Sequence, residues 1–581
     1  GDLTFLSFPD FLLGMSASQN GTPFSNVYGV TNVTQQEGGT PSTVRENYLG
    51  AYLQDDYHMN SQLTWNLGLR WEYNGTPYEI NAAGDQLNAD MQQFILNPLP
   101  PATGTYTGYT VGPNLGTPVP PGIPQRAYRL FTTSHAPYTN FGPRIGFAWV
   151  PLKNFTKLVV RGGVSVAYVS PSAGYISNPA LSNPPLALTI SRNGAANAAS
   201  NWASPYNPIP TLGFLERFPN SVLSAGSELD PNLRASTLFS QSLDIQYAIT
   251  PSLTWEIGYI GNRVEHITVL GVPFNVPQLA TPTSPVNCGY PSGCIDTNGS
   301  GGATGPSART LVQGLVPYGL EDYAPVGDSR YSSLQTTLRK NFSHGLQFDV
   351  AYTYGQTITD VRGASWVAGS SFNSNNPNDH AQLKGPADFN RPQRLVVNYT
   401  YELPNFDGSR GFKGKALSGW RISGVTTAQS GLPLRITDSR GGGAWGSSAS
   451  RAQFCPGMGV GNVFSSGSVI SRLNGYFNKN AFCAPPLVAN ATPGDTGATD
   501  FGNTPVVVGY GPGQFNWDIA LSKRTAVTEG SYFEFTAQFF NSFNHPQFSN
   551  PNTTASSGAF GIISSTAVGP RIIQLGLKYE F

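Results

Sequence analysis

Apolar and polar residues alternate strictly along several stretches of this chain. From Leu63 to Tyr73, the residues Leu63, Trp65, Leu67, Leu69, Trp71 and Tyr73 share one parity, and Thr64, Asn66, Gly68, Arg70 and Glu72 the other. A β-strand points successive side chains to opposite faces, so this pattern predicts a strand with one wholly apolar face. The same rule holds for Leu158, Val160, Val164, Val166 and Tyr168, with Gly162, against Arg161, Gly163, Ser165 and Ala167. Leu253, Trp255, Ile257 and Tyr259 alternate with Thr254, Glu256 and Gly258, and Leu346, Phe348, Val350, Tyr352 and Tyr354 with Gln347, Asp349, Ala351 and Thr353. The chain ends on Ile573, Leu575, Leu577, Tyr579 and Phe581, separated by Gln574, Gly576, Lys578 and Glu580.

These segments fall into pairs joined by short turns: Asn47–Tyr57 with Leu63–Tyr73, Asn140–Val150 with Lys157–Val169, Thr237–Ile249 with Leu253–Gly261, and Arg330–Phe342 with Leu346–Thr357. Further strands are predicted at Arg394–Leu403, Gly419–Ser430, Phe515–Lys523, Tyr532–Asn541 and the C-terminus. That makes roughly 13 to 15 strands of about the 9–11 residues a membrane-crossing strand needs. Between the pairs lie long Gly/Pro/Asn/Ser/Thr-rich stretches, at about Asn74–Tyr138, Ser170–Ser236, Val264–Ser329, Ile358–Pro392 and Leu432–Gly513, which read as irregular loops. Such lengths count against a compact soluble domain. Short turns on one side and long loops on the other are the plan of a membrane barrel, with periplasmic turns and extracellular loops. Arg70, Glu72, Arg161, Glu256 and Asp349 all take the non-apolar parity. A charge turned to lipid near midplane would cost about 2–4 kcal/mol for Arg or Lys. The pattern therefore predicts an all-β fold, a transmembrane antiparallel β-barrel with its apolar face on outer-membrane lipid.

Composition narrows the function classes. Charged residues are 11% of the 581 and aromatics 12%, against an ordinary charged share of about 25%. Disorder needs the reverse balance. The 33 basic and 33 acidic residues cancel, which argues against a nucleic-acid partner. No apolar run of about 18 residues predicts a membrane helix, as expected if strands do the crossing. Cys288 lies near Cys294, and Cys455 near Cys483, in loop-like sequence, so both pairs are candidate loop disulfides. The six histidines are scattered and no Cys-x-x-Cys occurs, so no metal site or cofactor is expected, and no catalytic constellation emerges: the chain reads as not an enzyme. Trp202, Tyr206, Trp366 and Trp445 are candidate ligand contacts that would stack on sugars or apolar ligands, with loop–loop packing the plainer alternative. The chain opens Gly1-Asp2-Leu3 without a basic and apolar leader, and is read as a mature product or a fragment.

Several segments resemble one known family. They include Tyr48-Leu49-Gly50-Ala51-Tyr52-Leu53-Gln54-Asp55-Asp56-Tyr57, Asn140-Phe141-Gly142-Pro143-Arg144-Ile145-Gly146-Phe147-Ala148-Trp149, and Gly258-Tyr259-Ile260-Gly261-Asn262-Arg263 with His266. Further ones are Phe342-Ser343-His344-Gly345-Leu346-Gln347-Phe348, Gly385-Pro386-Ala387-Asp388-Phe389-Asn390-Arg391, Gly419-Trp420-Arg421-Ile422-Ser423-Gly424 and Phe539-Phe540-Asn541-Ser542-Phe543-Asn544-His545-Pro546-Gln547-Phe548. In this order they resemble the Oar-like TonB-dependent receptors of the bacterial outer membrane, numerous in acidobacteria. The resemblance implies a 22-stranded barrel with an N-terminal plug and TonB box, often preceded by a sandwich domain. It implies substrate binding at the loops and inner wall, and passage powered through TonB. It also makes Leu575, Leu577, Tyr579 and Phe581 the insertion signal read by the barrel assembly machinery. The sequence departs from the family in having no recognisable plug or TonB box and too few strands. Residues 1–581 are thus expected to be the C-terminal barrel portion, with the TonB complex engaged through a missing N-terminal region. The function expected is uptake of an unidentified substrate (oligosaccharide, peptide or chelate). The alternative is a non-energised surface-display, adhesin or porin-like barrel.

Overall fold

The structure is a computed structural model, and it describes residues 2–35, 44–75, 78–79, 85–87, 109–111, 138–153, 155–170, 187–193, 198–203, 226–229, 233–273, 276–286, 295–310, 320–361, 375–376, 380–404, 412–447, 450–528 and 530–581. Its main feature is one antiparallel sheet in which thirteen strands follow each other in chain order. They are β1 (Tyr48–His58), β2 (Leu63–Asn74), β3 (Asn140–Trp149), β4 (Leu158–Val169), β5 (Ser236–Thr250), β6 (Leu253–Pro273), β7 (Leu320–Ser343), β8 (Leu346–Thr359), β9 (Gln393–Glu402), β10 (Trp420–Gln429), β11 (Gln514–Ala526), β12 (Tyr532–Phe540) and β13 (Ile572–Glu580). Two short segments join its rim: Gly226–Leu229 runs parallel to the start of β7, and Gly385–Pro386 pairs with the end of β8. Among the described residues β1 pairs only with β2, and β13 only with β12.

Register makes the alternation collective. One rung of cross-strand partners runs Leu63, Trp149, Val160, Ile245, Ile257, Thr336, Tyr352, Leu395, Ala428, Phe515 across ten strands, nearly all apolar. Because side chains have a period of two, each strand fixes the facing of its neighbour. The rung starts at the first residue of β2 but crosses β8 at its seventh. That stagger is what tilted barrel strands require. The apolar face is exposed, with Leu243 at 49% and Leu577 at 72%, so it has no protein core to cover it. Charges do appear on this face, near the short-turn end and again midway along β6 and β7, where Arg263, Glu265, Asp328 and Arg330 lie. Asp55, Lys340 and Lys523 sit near the short-turn end, where the Lys523 ammonium lies 5.0 Å from the Trp420 ring. Such snorkelling keeps the charge at the interface while the stem stays apolar.

Antiparallel succession turns the β1–β2, β3–β4, β5–β6, β7–β8, β9–β10 and β11–β12 ends of the strands to one side, which is the periplasmic side, and the long-loop side is extracellular. Two expectations need correcting. β6 and β7 run well beyond the predicted Gly261 and Arg330, into sequence read as loop. The ladder survives there through register shifts between Glu265 and Ile267, Ile267 and Val269, and Val269 and Val272, which break the period-two pattern without ending the pairing. The Leu432–Gly513 stretch is not irregular in the sense predicted. With residues 545–567 it forms a packed cap holding Leu434, Ile436, Phe454, Phe477, Val508 and Phe560 in one core. Near the N-terminus, the short helix Phe8–Leu13 ends at Gly14, whose φ is +50°. The Trp202 ring lies directly over the Gly14 Cα, so any side chain there would collide with it.

Candidate functional site

The inward parity of the sheet carries the polar side chains. On β7 and β8, Arg339 and Asp349 are direct partners, and the Arg339 Nε donates to the Asp349 carboxylate at 2.8 Å. Asn398 of β9 lies opposite Asp349, Val425 of β10 opposite Asn398, and Asp518 of β11 opposite Val425. The next rung towards the periplasm holds Gln347, Thr400, Ser423, Ala520 and Gln538. These rungs line a cavity of about 410 Å³ on the inner wall. Asp518 Oδ1 is held in place by the Asn516 amide at 3.0 Å and the Asn541 N–H at 2.8 Å. One rung lower, Arg421 donates to Ser522 Oγ at 3.1 Å and to Glu534 at 3.3 Å. Opposite charges facing each other on neighbouring strands contribute roughly 0.2–1 kcal/mol each, and they leave amides and carboxylates presented to the interior. The arrangement suits hydrogen-bonding a polar solute.

The inner wall continues on β2 to β6 with Arg70 bonded to Glu72, the Arg161 guanidinium on Gln246 Oε1 at 2.6 Å, and Arg144 beside Gly68. At Gly258 the Asp244 carboxylate lies where a Cβ would be, so this glycine lets the side chain of the neighbouring strand cross.

The residues singled out from the sequence scatter. Cys455 and Cys483 are joined, with Cα atoms 4.9 Å apart, inside the cap. Cys288, Cys294, Tyr206 and Trp366 lie outside the described residues. Trp202 is exposed along one side, but its Nε1 donates to the Phe11 carbonyl and its ring meets Phe5 and Phe11. Trp445 does not suit the expected ligand contact: only 7% exposed, it stacks on Phe501 and donates to Asp500, so loop packing explains it. Leu575, Leu577, Tyr579 and Phe581 face outwards, with Tyr579 packed 4.8 Å from Phe533 of β12. The inner-wall residues Asn398, Asp518 and Gln538 were missed. Their signal was available, since each has the polar parity of its strand. Among the described residues no three His, Cys, Asp or Glu side chains gather as a metal site.

A thirteen-strand antiparallel sheet, apolar on its exposed face and polar within, turned by short connections on one side, is the wall of a transmembrane β-barrel. The model of the family described as the outer membrane beta barrel domain matches residues 1–574, and the chain belongs to that family. It is therefore a protein of the bacterial outer membrane. Solved structures with similarity include the outer membrane transporter YddB from Escherichia coli, 9% identical, TM-score 0.40, aligned over 92% of this chain and 54% of that one. The siderophore receptor PirA from Acinetobacter baumannii is 10% identical, TM-score 0.39, aligned over 92% and 46%. The FrpB iron transporter from Neisseria meningitidis is 8% identical, TM-score 0.38, aligned over 93% and 46%. The chain thus spans about half the length of these structures. A comparison with curated protein sequences finds no match.

Proposed function

We propose that this chain forms the wall of an outer-membrane receptor/transporter of the TonB-dependent, Oar-like kind. Its substrate, an oligosaccharide, peptide or chelate, would bind along the inner wall before passage. The observation that carries the reading is the polar cavity around Asp349, Asn398, Asp518 and Gln538, set in a sheet whose other face is apolar. Coupling to TonB would come through a plug region outside this sequence, and the terminal strand would serve the barrel assembly machinery. A packed cap on the extracellular side also suits the alternative, a non-energised surface-display, adhesin or porin-like barrel.

The test compares uptake of labelled oligosaccharides, peptides and ferric chelates in cells with and without the gene, each with and without a protonophore. Uptake lost on deletion and on de-energising supports the proposal. Uptake that ignores the protonophore assigns the porin-like alternative, and no uptake with retained surface binding assigns the adhesin. Asp349→Asn combined with Asp518→Asn should raise the half-saturating concentration at least tenfold.

A further inference from the structure

The outward face of the wall is apolar along most strands, but not midway along β6 and β7. There the outward parity reads Tyr259, Gly261, Arg263, Glu265 on β6, against Leu334, Ser332, Arg330, Asp328 on β7. Arg263 and Arg330 are direct cross-strand partners, and so are Glu265 and Asp328. Like charges placed directly opposite each other are destabilising unless something answers them. Arg263 is answered by Glu265 at 2.6 Å and Asp328 at 3.4 Å. Arg330 is exposed and has no carboxylate partner among the described residues. Arg234 adds a further positive charge near the bulge at His266.

Below this cluster the face is notched. Gly261 has no side chain, and the Tyr259 ring bends over it, bringing its hydroxyl 3.4 Å from Ser332 Oγ and 3.4 Å from Gln241 Nε2. A Cβ at Gly261 would stand 2.7 Å from that hydroxyl. The result is a cavity of about 470 Å³ in which Val166, Phe239, Arg263 and Arg330 follow one another along a single rung, with Ile145 and Val164 on its apolar side and Glu265 beside the arginines.

Its height in the membrane is set by the strand. Arg263 lies ten residues beyond Leu253, the first residue of β6. At about 3.4 Å per residue and a tilt of roughly 40°, that is about 26 Å above the periplasmic turn, against an apolar band of about 25 Å. The guanidiniums therefore stand at headgroup level of the outer leaflet, and the apolar wall reaches down among the acyl chains. A charge here escapes most of the lipid-face penalty, which falls to about 0–1 kcal/mol near the interface.

We propose that this notch seats one phosphate-bearing lipid of the outer leaflet, its phosphate on Arg330 and Arg263 and an acyl chain along Val164, Val166 and Phe239. Arginine forks match phosphate oxygens bidentately, and Arg330 is the arginine of the cluster that has no carboxylate partner among the described residues. The assignment rests on the outer-membrane placement and is independent of what the interior carries.

The test uses the full-length protein purified from outer membranes, stripped of lipid and incubated with a bisphosphorylated, acylated diglucosamine lipid or with the same lipid after phosphate removal. Native mass spectrometry reads the bound lipid, and heat-modifiable migration verifies folding. The bisphosphorylated lipid is expected to be retained at least tenfold more than the dephosphorylated one. Arg263→Gln with Arg330→Gln should abolish that preference, while Lys479→Gln in the cap should not. Ser332→Leu keeps both arginines and adds only apolar bulk to a lipid-facing site. It should lower retention at least threefold, and it remains informative if the double variant fails to fold. Equal retention of the two lipids, or a preference that survives both variants, overturns the proposal. So does displacement of the lipid by inorganic phosphate at equal concentration, which would make this a site for phosphate from solution.

Discussion

In the wall Leu575 is 66% exposed and Leu577 72%, whereas in the cap Ile436 and Phe477 are 0% and 2% exposed. The same apolar residue types are thus turned out in one region and in at the other. The wall leaves its hydrophobic surface to lipid, and its strands are held by the backbone ladder, since no backbone polar group may go unpaired in hydrocarbon. The cap faces water and must build a core from its own chain, as any small soluble domain does. One polypeptide therefore obeys two burial rules, and the boundary between them is the rim where β10 to β12 end.

If the two regions are energetically separate, damage to one should spare the other. The largest effect is expected from Phe477→Ala. Phe477 stacks 5.0 Å from Phe560 in the cap core, and truncation of a buried Phe costs about 3–5 kcal/mol. Hydrogen exchange should rise across residues 434–508 while heat-modifiable migration of the wall stays unchanged; loss of both would show that the regions fold as one. Opening the Cys455–Cys483 bond by double Cys→Ser substitution should cost roughly 3–4 kcal/mol, given its 28-residue separation. Limited proteolysis should then cut the cap first.

The converse experiment strikes the wall. Leu575→Arg should cost about 2–4 kcal/mol in unfolding from a bilayer, and Gln574→Arg, one residue away on the inner face, close to nothing. Equal costs would mean that the two faces do not meet different solvents. The smallest effect concerns the join between the cap and the segment 295–310. The Ser300 N–H donates to Asp495 at 2.6 Å, and the Ser300 hydroxyl reaches the same carboxylate at 2.8 Å. These bonds hold the carboxyl below its ordinary value of 3.8. A lowered folded pKa stabilises fully above that ordinary value and is lost as pH falls through the lower one. The protection of the Ser300 amide, relative to its intrinsic exchange rate, should therefore fall as the pH drops below 3.8, and Asp495→Asn should remove that pH dependence.

The wall was legible in the sequence because a strand between two unlike media writes both into its parity. Leu63–Tyr73 shows this without exception. The legibility failed on β6 where the outer medium changes. Past Gly261 the outward positions become Arg263 and Glu265, and His266, at φ 59°, introduces a bulge. The cap was not legible because its core residues, such as Leu434, Ile436, Phe477, Val508 and Phe560, lie far apart in sequence among Gly and Pro turns and share no period. Trp445 follows the plainer of its two readings, loop packing, although a tryptophan in loop-like sequence carries no sign of which way it points. The polar cavity was half legible. Asp349 stood out, whereas Asn398, Asp518 and Gln538 become a group only when the register sets their rungs side by side.

The cap disulfide closes within the single loop between β10 and β11. That loop starts on the periplasmic side during assembly and has to reach the cell exterior. The periplasm is oxidising, so the bond can form before the crossing. A loop tied in this way cannot be drawn through as one extended thread, because at the knot two lengths of chain travel abreast. The order of oxidation and insertion therefore sets the bore that the assembly path must open for this segment, a demand that none of the tight periplasmic hairpins makes.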